Sequence, residues 1–507
     1  MRVVSTPIVG SGLTRIGVDR SIESPWFEAV PKRAGEWSAR ADLIRKNLIS
    51  DDWLDSLRPA FDAKGAASDR LEKAAKSGFA VTAGQQPGLF GGPLYTWWKA
   101  LTALSLANRL EAETGRPVVP VFWAASDDSD YAEASETFIA TPSGAERIAL
   151  PPLEDTGRAL AQIPIGDVSA QIEKLLASAG SASNSDIAEI IRKAYRPGAT
   201  LGGAYLELLR SILGPLGIAV LDAAHPAVRS AAFPVLKQAL ESSQEIERSL
   251  VARSAELKEK KLSPQVKVVK GRTLVFADAG GQRDRIRIRD AHENAATSKP
   301  GDLGPNVLLR PIVERSLLPT VCYIGGPAEI AYFAQVTAVA DAMNAPRPVI
   351  VPRWSGVVIE PRVEKILARY NIALEDLRDP HAVETRMARE SLPPELMERI
   401  ASLRQSLDQS IHALSSARGA DLVAPTVLDG LVRNMTHRLD RLERRYVAAV
   451  KRQGNEALRE IAIARGSLFP ADIPQERALN GVPLLARYGD ELVASALREI
   501  APHTAQL

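Results

Sequence analysis

A segment rich in glycine and glutamine carries residue types suited to ligand binding. Residues 81–99 read VTAGQQPGLFGGPLYTWWK. Glycines such as Gly84 and Gly91 let backbone amides approach a ligand closely, and a helix that starts after such a loop favours an anion at its N-terminus. Gln85 and Gln86 add hydrogen-bond donors and acceptors at one mouth. The segment predicts a ligand-binding loop, and a glycine-rich connection that only turns the chain is the equal alternative.

An acidic run follows the next apolar run of the chain. Asp127, Asp128 and Asp130 come directly after residues 117–125, which read PVVPVFWAA and suit a strand buried on both faces of a parallel sheet. Ligands of a doubly wound sheet bind beyond the carboxyl ends of its strands. The carboxylates can therefore bind an amine, orient hydroxyl groups or hold a magnesium ion beside a nucleotide. The alternative is a solvated turn that caps the next helix.

A second Gly-Gly-Pro tripeptide joins another apolar run to another helix. Tyr323 lies in the apolar run, Gly325 and Gly326 form the turn, and Glu329 falls in the first turn of the helix, where the dipole favours a carboxylate. The tripeptide repeats residues 91–93 of the first segment. This repetition predicts a second ligand-binding turn.

Two arginines precede this second tripeptide. Arg310 and Arg315 can grip a carboxylate or phosphate through paired N–H donors. Structural ion pairing with Glu314 or Glu329 is the alternative use of the same side chains.

Several common catalytic signatures are missing from the sequence. There is no GxxxxGK[ST] phosphate loop, no GxGxxG fingerprint in a suitable context, no HExxH and no GxSxG. The six histidines are scattered without metal-ligand spacing, and the single cysteine, Cys322, lies in an apolar run typical of a buried strand. The scattered histidines argue against hydrolysis at a histidine-rich metal site, and a single cysteine excludes a disulfide within the chain.

Composition limits the class of protein further. A net charge of +2 over 507 residues predicts neither a nucleic-acid partner nor a membrane surface. The N-terminus lacks the pattern of a signal peptide, and no apolar run approaches the ~20 residues that span a bilayer. We expect a cytoplasmic protein.

Strand and helix patterns alternate through the first 380 residues. Apolar runs at 79–82, 117–125, 217–222 and 348–353 predict parallel strands, and helices are expected near 101–113 and 226–250. Short runs at 266–269, 273–276 and 285–288 predict an antiparallel excursion. The fold class expected is therefore α/β, an open, doubly wound parallel sheet with inserted subdomains.

Three regions are expected along the chain. Residues 1–380 form the core, with insertions at about 141–205 and 251–300, and residues 466–507 pack back on it. Between them, residues 381–465 carry leucines at alternating three- and four-residue steps, which predicts an antiparallel coiled-coil hairpin that pairs with a second subunit. Two ordinary amphipathic helices on the core are the alternative.

Four segments together resemble one enzyme family. The GQQ and GPLYT letters of residues 81–99, the strand and acidic run of 122–130, NVLLRPIVE at 306–314 and YIGGPAEIAYFAQ at 323–335 are similar to motifs of the cysteine-adding enzymes of bacillithiol synthesis. Residues Gln475, Glu476 and Arg477, with the later Tyr-Gly pair, also fit. The resemblance runs in order from about residue 79 to 490.

The resemblance implies a fold and a reaction. The implied core is Rossmann-like and similar to class I aminoacyl-tRNA synthetases, with connecting-peptide insertions and a C-terminal coiled coil that forms homodimers. The implied reaction joins L-cysteine to the amine of glucosaminyl-malate through an amide bond. ATP is the expected source of activation, with magnesium as an optional companion, and neither has a sequence signature of its own.

One cleft is expected to gather the residues singled out above. Asp128 and Asp130 are the catalytic candidates, with Asp130 as a base, and Arg310 or Arg315 would hold malate or phosphate. The full predicted set is Gly84, Gln85, Gln86, Gly91, Tyr95, Asp127, Asp128, Asp130, Arg310, Arg315, Tyr323, Gly325, Gly326 and Glu329.

The acidic run departs from the family pattern at one position. The family commonly has Glu-Asp-His-Asp there, whereas this chain has Ser129 in place of the histidine, so a natural proton carrier near neutral pH is absent. Two alternatives therefore stay open. One is a sugar- or nucleotide-binding enzyme of the same fold with altered chemistry, and the other is a dimeric scaffold protein.

Overall fold

The computed structural model describes residues 1–19, 24–141, 144–154, 157–183, 185–279, 282–453 and 456–507. The chain divides into two compact units. The first unit comprises Met1–Ile139, Glu146–Val358 and Gln475–Leu507, and the second comprises Ala140–Ala145 and Ile359–Pro474. Within the described residues, no helix combines the length and apolar character needed to cross a membrane.

The strands and helices alternate through most of the first unit. The strands are β1 (Arg2–Ser5), β2 (Phe79–Gln85), β3 (Val118–Ala124), β4 (Glu136–Thr141), β5 (Gly144–Ala149), β6 (Ala219–Asp222), β7 (Arg272–Ala279), β8 (Gln282–Arg287), β9 (Leu303–Pro305), β10 (Thr320–Gly325), β11 (Ile350–Pro352) and β12 (Gly356–Ile359). The helices are α1 (Gly12–Val18), α2 (Ala34–Arg45), α3 (Trp53–Phe61), α4 (Gly65–Ser77), α5 (Leu94–Thr114), α6 (Tyr131–Ala134), α7 (Ser169–Ala177), α8 (Asp186–Ala194), α9 (Leu201–Leu213), α10 (Pro226–Glu241), α11 (Ser243–Glu259), α12 (Ala291–Thr297), α13 (Arg310–Leu317), α14 (Pro327–Ala342), α15 (Pro361–Arg369), α16 (Pro380–Glu390), α17 (Pro394–Ser415), α18 (Pro425–Gln453), α19 (Glu456–Leu468), α20 (Gln475–Ala478) and α21 (Val482–Ala505).

A five-stranded parallel sheet forms the centre of the first unit. Its strand order is β11-β10-β2-β3-β6, and each neighbouring pair runs parallel. All seven residues of β3 are buried, as expected for a strand covered by helices on both faces. The predicted α/β class with a parallel core is confirmed, and Cys322 is buried in β10, as its apolar surroundings indicated.

Helix α5 connects the two central strands. It packs against both β2 and β3, and it ends at Gly115, whose φ of 68° is left-handed, a conformation that glycine adopts without a Cβ penalty. Strand, helix and parallel strand thus make the crossover unit that the sequence indicated, and the loops after β2 and β3 end on the same edge of the sheet.

Two local predictions are wrong. The helix expected over 226–250 is interrupted at Ser242, where φ is −90° and ψ is 8°, so α10 and α11 are separate; serine side chains compete for backbone hydrogen bonds and favour such breaks. The run 266–269 is not a strand. The side-chain amide of Gln335 instead takes both backbone bonds of Val266, at 2.9 and 2.8 Å.

The antiparallel excursion itself is confirmed with a different third strand. Strand β7 pairs antiparallel with β8 and with β9. Strand β9 leads directly toward α13, and so this small sheet delivers the segment that carries Arg310 to the edge of the central sheet.

The second unit contains the predicted helical hairpin. Helices α17 and α18 pack side by side, and Arg404 on α17 pairs with Asp440 at 2.7 Å and Glu443 at 3.0 Å on α18. Leu403 is 54% and Leu431 45% exposed. Part of the leucine pattern thus lies on an open face of the hairpin.

The C-terminal residues return to the first unit. Helix α21 packs along α5, and the short α20 inserts Glu476 among buried groups. Its carboxylate accepts hydrogen bonds from both terminal nitrogens of Arg353, at 2.9 and 2.6 Å. The end of the chain is therefore built into the edge of the sheet beside β11.

Candidate active site

A cleft of about 360 Å³ lies at the carboxyl ends of β2, β3 and β10. All of its lining belongs to the first unit. The residues of the predicted set that line it are Gly84, Gln85, Gln86, Tyr95, Asp127, Asp128, Arg310, Tyr323, Gly326 and Glu329. The four segments far apart in sequence therefore meet at one place, the edge where parallel-sheet ligands bind.

Lys99 and Glu329 form an ion pair at the centre of the cleft. Lys99 is 2% exposed, and its ammonium also donates to the carbonyl of Gly84 at 2.8 Å and to Gln85 Oε1 at 2.9 Å. All three donors of the ammonium thus have acceptors. The pair links the end of β2 to the start of α14 and fixes the side chain of Gln85.

Burial and pairing oppose each other in this pair. Burial lowers the pKa of Lys99, although the charge of Glu329 works against that change. Burial alone would raise the pKa of Glu329, but the Lys99 charge, the Gly326 N–H at 2.7 Å and the Tyr323 hydroxyl at 2.7 Å outweigh it and lower that pKa. Glu329 therefore stays a carboxylate inside the cleft.

Gly84 occupies a position where a side chain does not fit. A Cβ there would lie 2.8 Å from the Trp123 carbonyl oxygen and 3.2 Å from the Tyr323 hydroxyl. Its own carbonyl accepts from Lys99. The absence of a side chain lets three strands come together beneath the cleft, which is a close-approach role for glycine.

Arg310 lines the cleft from the first residue of α13. It donates to Glu314 at 2.7 Å, its guanidinium lies 4.8 Å from the centre of the Tyr323 ring, and the Glu314 carboxylate accepts in turn from Thr82. Burial raises the pKa of Glu314 and Arg310 opposes that rise. The ion pairing foreseen as an alternative for Arg310 therefore coexists with its place in the cleft.

The acidic run contributes one face of the cleft. Asp128 accepts from the Asp130 backbone N–H at 2.8 Å, and burial raises the pKa of Asp128. Burial, followed by the nearby carboxylates of Asp130 and Asp128, also raises the pKa of Glu133, which Gln86 hydrogen-bonds. Because the pKa values of Asp128 and Glu133 are raised, these side chains can exchange protons at a pH closer to neutrality than free carboxylates can. The same acidic face can hold an amine.

Four residues of the predicted set do not line the cleft: Gly91, Asp130, Arg315 and Gly325. Asp130 is exposed and caps α6 by accepting from the Glu133 N–H at 3.0 Å. Arg315 is 2% exposed and lies near Arg40, and burial, with that second cation, lowers the pKa of Arg315 to about 10. Asp130 therefore has the capping role weighed as its alternative, and Arg315 lies apart from Arg310.

The cleft also contains residues that the predicted set left out. They are Lys99, Trp123, Ala125, Glu133, Arg283, Pro305, Asn306, Val307, Pro327, Ala328, Tyr332, Arg353 and Arg477. Lys99, Glu133 and Arg477 fall inside or beside segments already singled out, so their charges were the available signal. Arg283 lies in the antiparallel excursion, and its place depends on the tertiary fold.

Both cationic and acidic side chains line the cleft. Arg310 and Arg477 are cationic and Asp127, Asp128 and Glu133 are acidic, whereas Arg353 is already paired with Glu476. Within the described residues, no group of three or more His, Cys, Asp or Glu side chains is arranged to hold a metal ion. This set of side chains suits a substrate that carries both a carboxylate and an amine or hydroxyl groups.

Two family models match the chain. One, described as "Bacillithiol biosynthesis BshC, N-terminal Rossmann-like domain", matches residues 23–354. The other, described as "Bacillithiol biosynthesis BshC, C-terminal coiled-coil domain", matches residues 356–507. Together they span the parallel sheet, the cleft and the helical hairpin.

Similar proteins come from distant bacteria and share one description, "Putative cysteine ligase BshC". The chain is 33% identical over 463 residues to that of Koribacter versatilis, covering 87% of this chain and 85% of the relative. It is 30% identical over 469 residues to that of Solibacter usitatus, covering 87% and 86%. For Salinibacter ruber the identity is 27% over 496 residues, covering 92% and 89%.

Proposed function

The chain belongs to the BshC family of bacillithiol biosynthesis, and from this membership we propose that it joins L-cysteine to the amine of glucosaminyl-malate. The observation that carries the proposal is the cleft, whose lining places arginines and acidic side chains around one space. Malate presents carboxylates that arginine binds well. The glucosamine amine and hydroxyl groups match acidic acceptors such as Asp128.

Amide formation sets definite demands on the cleft. The amine nitrogen attacks the carboxyl carbon of cysteine, a C–N bond forms, and the leaving group departs with the electrons of the C–O bond. The nitrogen must also lose a proton. Asp128 is the side chain proposed to accept it, since it lines the cleft and burial raises its pKa, whereas Asp130 caps α6.

The serine in the acidic run fits this assignment. Ser129 stands where the family pattern described above has histidine, whose imidazole would carry protons near neutral pH. A carboxylate with a raised pKa can take over that role, and Glu133, whose pKa is also raised by burial, lines the same cleft. The proposed chemistry thus needs no histidine at this position.

Activation of the cysteine carboxyl requires an energy source. ATP supplies a good leaving group to a carboxylate when it is bound, and Arg477 is the cleft residue that would hold its phosphates, which leaves Arg310 for malate. The described residues contain no ready-made cluster of metal ligands, and we assign no step to magnesium.

A homodimer through the helical hairpin is the second part of the proposal. Several large apolar side chains of α17 and α18 are exposed, namely Leu403, Leu414, Val427, Leu431, Met435, Leu442 and Tyr446. Exposed apolar side chains repeated along a hairpin favour a second copy as their cover. Deleting residues 396–446 should give a monomer by light scattering, and a truncated protein that stays dimeric would refute this part.

Ligand-dependent thermal unfolding tests the substrate assignment. A ligand that binds only the folded state raises the melting temperature, so glucosaminyl-malate should raise that of the wild type. Arg310→Gln should lose this shift because the variant removes a cleft cation. Arg315→Gln should keep it, since Arg315 lies on the same helix but outside the cleft.

The other outcomes distinguish the alternatives. Shifts with unrelated sugars or nucleotides, and none with glucosaminyl-malate, would favour an enzyme of the same fold with altered chemistry. No shift with any small molecule would favour a dimeric scaffold. If both arginine variants lose the shift equally, the proposal that glucosaminyl-malate binds in the cleft is refuted.

A further inference from the structure

A second cavity adjoins the cleft behind the side chain of Arg283. It has a volume of about 120 Å³, and we call it the side chamber. The cleft and the side chamber share Trp123, Asp127, Arg283, Pro305 and Arg310 in their linings. A group in the side chamber therefore lies directly beside a substrate in the cleft.

The wall of the side chamber is mostly small and apolar. Ala224 precedes α10, Val228 and Ala232 lie on it, and Leu303 and Val313 face them from β9 and α13. Such a wall favours a small apolar group, because a polar group buried there without a partner costs free energy.

The charges at the far side of the chamber neutralise each other. Arg229 pairs with Asp278 at 2.7 Å and also donates to the Gly301 carbonyl. Both charged side chains line the chamber. A charged guest would have to break this pair, so the chamber selects against charged side chains.

The mouth of the side chamber has a different character. Arg283 donates to the backbone carbonyls of Asp127 and, at 3.3 Å, Pro305, and it lies 3.6 Å from the Asp127 carboxylate. Arg310 stands on the same boundary. The mouth thus presents the Asp127 carboxylate and the Arg283 guanidinium, which match the ammonium and carboxylate of a free amino acid.

Size decides between the candidate guests. A dry cavity of about 150 Å³ holds a benzene-sized group, so a purine is too large for the side chamber. The CH2SH group of cysteine fits, and an apolar wall suits a thiol because sulfur is a weak hydrogen-bonding group.

We infer that the side chamber is the amino-acid pocket of the enzyme, with a small uncharged side chain inside and the α-ammonium and α-carboxyl groups at the Asp127–Arg283 mouth. This assignment rests on the proposed ligase function and adds where the amino acid binds. It places the reacting carboxyl carbon on the boundary with the cleft, where the amine of the second substrate can attack it. The C–N bond then forms at this boundary as the C–O bond to the activating group breaks and the amine loses a proton, while the side chain stays in the chamber.

Filling the chamber tests this assignment. Ala224→Leu adds three carbons to a half-buried position on the chamber wall. The KM for cysteine should rise at least tenfold, and the KM for glucosaminyl-malate should stay within twofold of the wild type. Ala227→Leu is the matched control, since Ala227 is half-buried in the first turn of α10 but does not line the chamber.

The remaining outcomes separate the two levels of the account. If the wild type forms product and Ala224→Leu leaves the KM for cysteine unchanged, or raises both KM values equally, the chamber assignment is overturned and the ligase function stands. A wild type that forms no product overturns both. Ala224→Val, checked for folding by circular dichroism, replaces the leucine variant if that variant does not fold, and it should raise the KM for cysteine by a smaller factor.

Discussion

The two Gly-Gly-Pro turns, residues 91–93 and 325–327, have the same sequence but different structural roles. Both begin a helix, α5 and α14, and both place a first-turn side chain in the cleft, Tyr95 and Glu329. Only the second turn contributes its own glycine to the lining, through Gly326. The tripeptide therefore marks the start of a helix and does not by itself mark a ligand site.

The distance from the preceding strand explains the difference. Strand β10 ends at Gly325, so the second turn lies at the sheet edge itself. Strand β2 ends at Gln85, six residues before Gly91, and the glutamines occupy the corresponding place. The first turn is carried away from the cleft and toward the C-terminal segment.

The C-terminal segment then fixes the first turn. The amide of Asn480 donates to the carbonyls of Leu89 and Phe90 at 3.1 and 3.0 Å, and the Leu94 N–H donates to Leu479. Asn480 is 2% exposed. The first turn thus connects distant parts of the chain, whereas the second turn lines the cleft.

The largest effect is expected from the first-turn side chains. Glu329→Gln removes one partner of a buried ion pair, which costs about 3–5 kcal/mol of the free energy of unfolding, and activity falls because the Lys99 ammonium loses its counter-charge in the cleft. Tyr95→Phe at the matching position removes only a hydroxyl that accepts from Gln85 at 3.3 Å, a loss of about 0.5–1.5 kcal/mol. Urea denaturation and kcat/KM measure both, and equal effects would contradict the comparison.

The same variant has a pH signature. The pKa of Glu329 is lowered in the folded protein, so the folded state releases this proton more readily than the unfolded state. Its contribution to stability is complete above the unfolded value of about 4.3 and is lost as pH falls through the lowered folded pKa. Denaturation midpoints of wild type and Glu329→Gln should therefore converge at acid pH, and a constant difference down to low pH would count against the ion pair.

The acidic run contains two aspartates, Asp128 and Asp130, for which we propose different roles. Asp128→Asn should lower kcat/KM about 10²-fold or more, as expected for loss of a general base. The raised pKa of Asp128 places the acid limb of the wild-type pH–rate profile above the value of a free aspartate, about 3.9, and this limb should disappear in the variant. Asp130→Ala should keep the limb and cost about 1 kcal/mol of stability through loss of a helix cap. An acid limb that depends on Asp130 would reverse the assignment.

The two turn glycines should differ, and Gly326→Ala is expected to have the smallest effect on stability. Gly91 has a φ of 87°, and a Cβ there would lie 3.0 Å from the Trp97 ring, so Gly91→Ala should destabilise the protein by about 1–3 kcal/mol. Gly326 has a φ of −82°, which alanine adopts freely, and its Cβ would lie 3.4 Å from Glu329 Oε2. Gly326→Ala should therefore leave stability within about 0.5 kcal/mol and lower kcat/KM. The reverse pattern, measured by the same two assays, would break the comparison.

The sequence predicted the central sheet and most of the cleft for a physical reason. Runs such as residues 117–125 are apolar throughout, which only a strand buried on both faces requires, and the loops after parallel strands meet at one edge. Ten of the fourteen predicted site residues line the cleft accordingly.

The errors arose where the direction of a side chain in the folded protein determines whether it lines the cleft. Arg310 and Arg315 are five residues apart on α13, and five steps of about 100° turn the second side chain roughly 140° away from the first. Arg353 depends on Glu476, which is 123 positions away. For residues that are close together in sequence, the sequence alone does not show which side chain faces the cleft.

Product formation tests the central claim most directly. Wild-type protein, isotopically labelled cysteine, glucosaminyl-malate and ATP are incubated together, and the adduct is sought by mass spectrometry, with Glu329→Gln at matched folded concentration alongside. The proposed ligase function predicts a labelled amide adduct with the wild type and a strongly reduced yield with the variant. No adduct with the wild type, under conditions in which a relative forms it, or equal yields from both proteins, would contradict it.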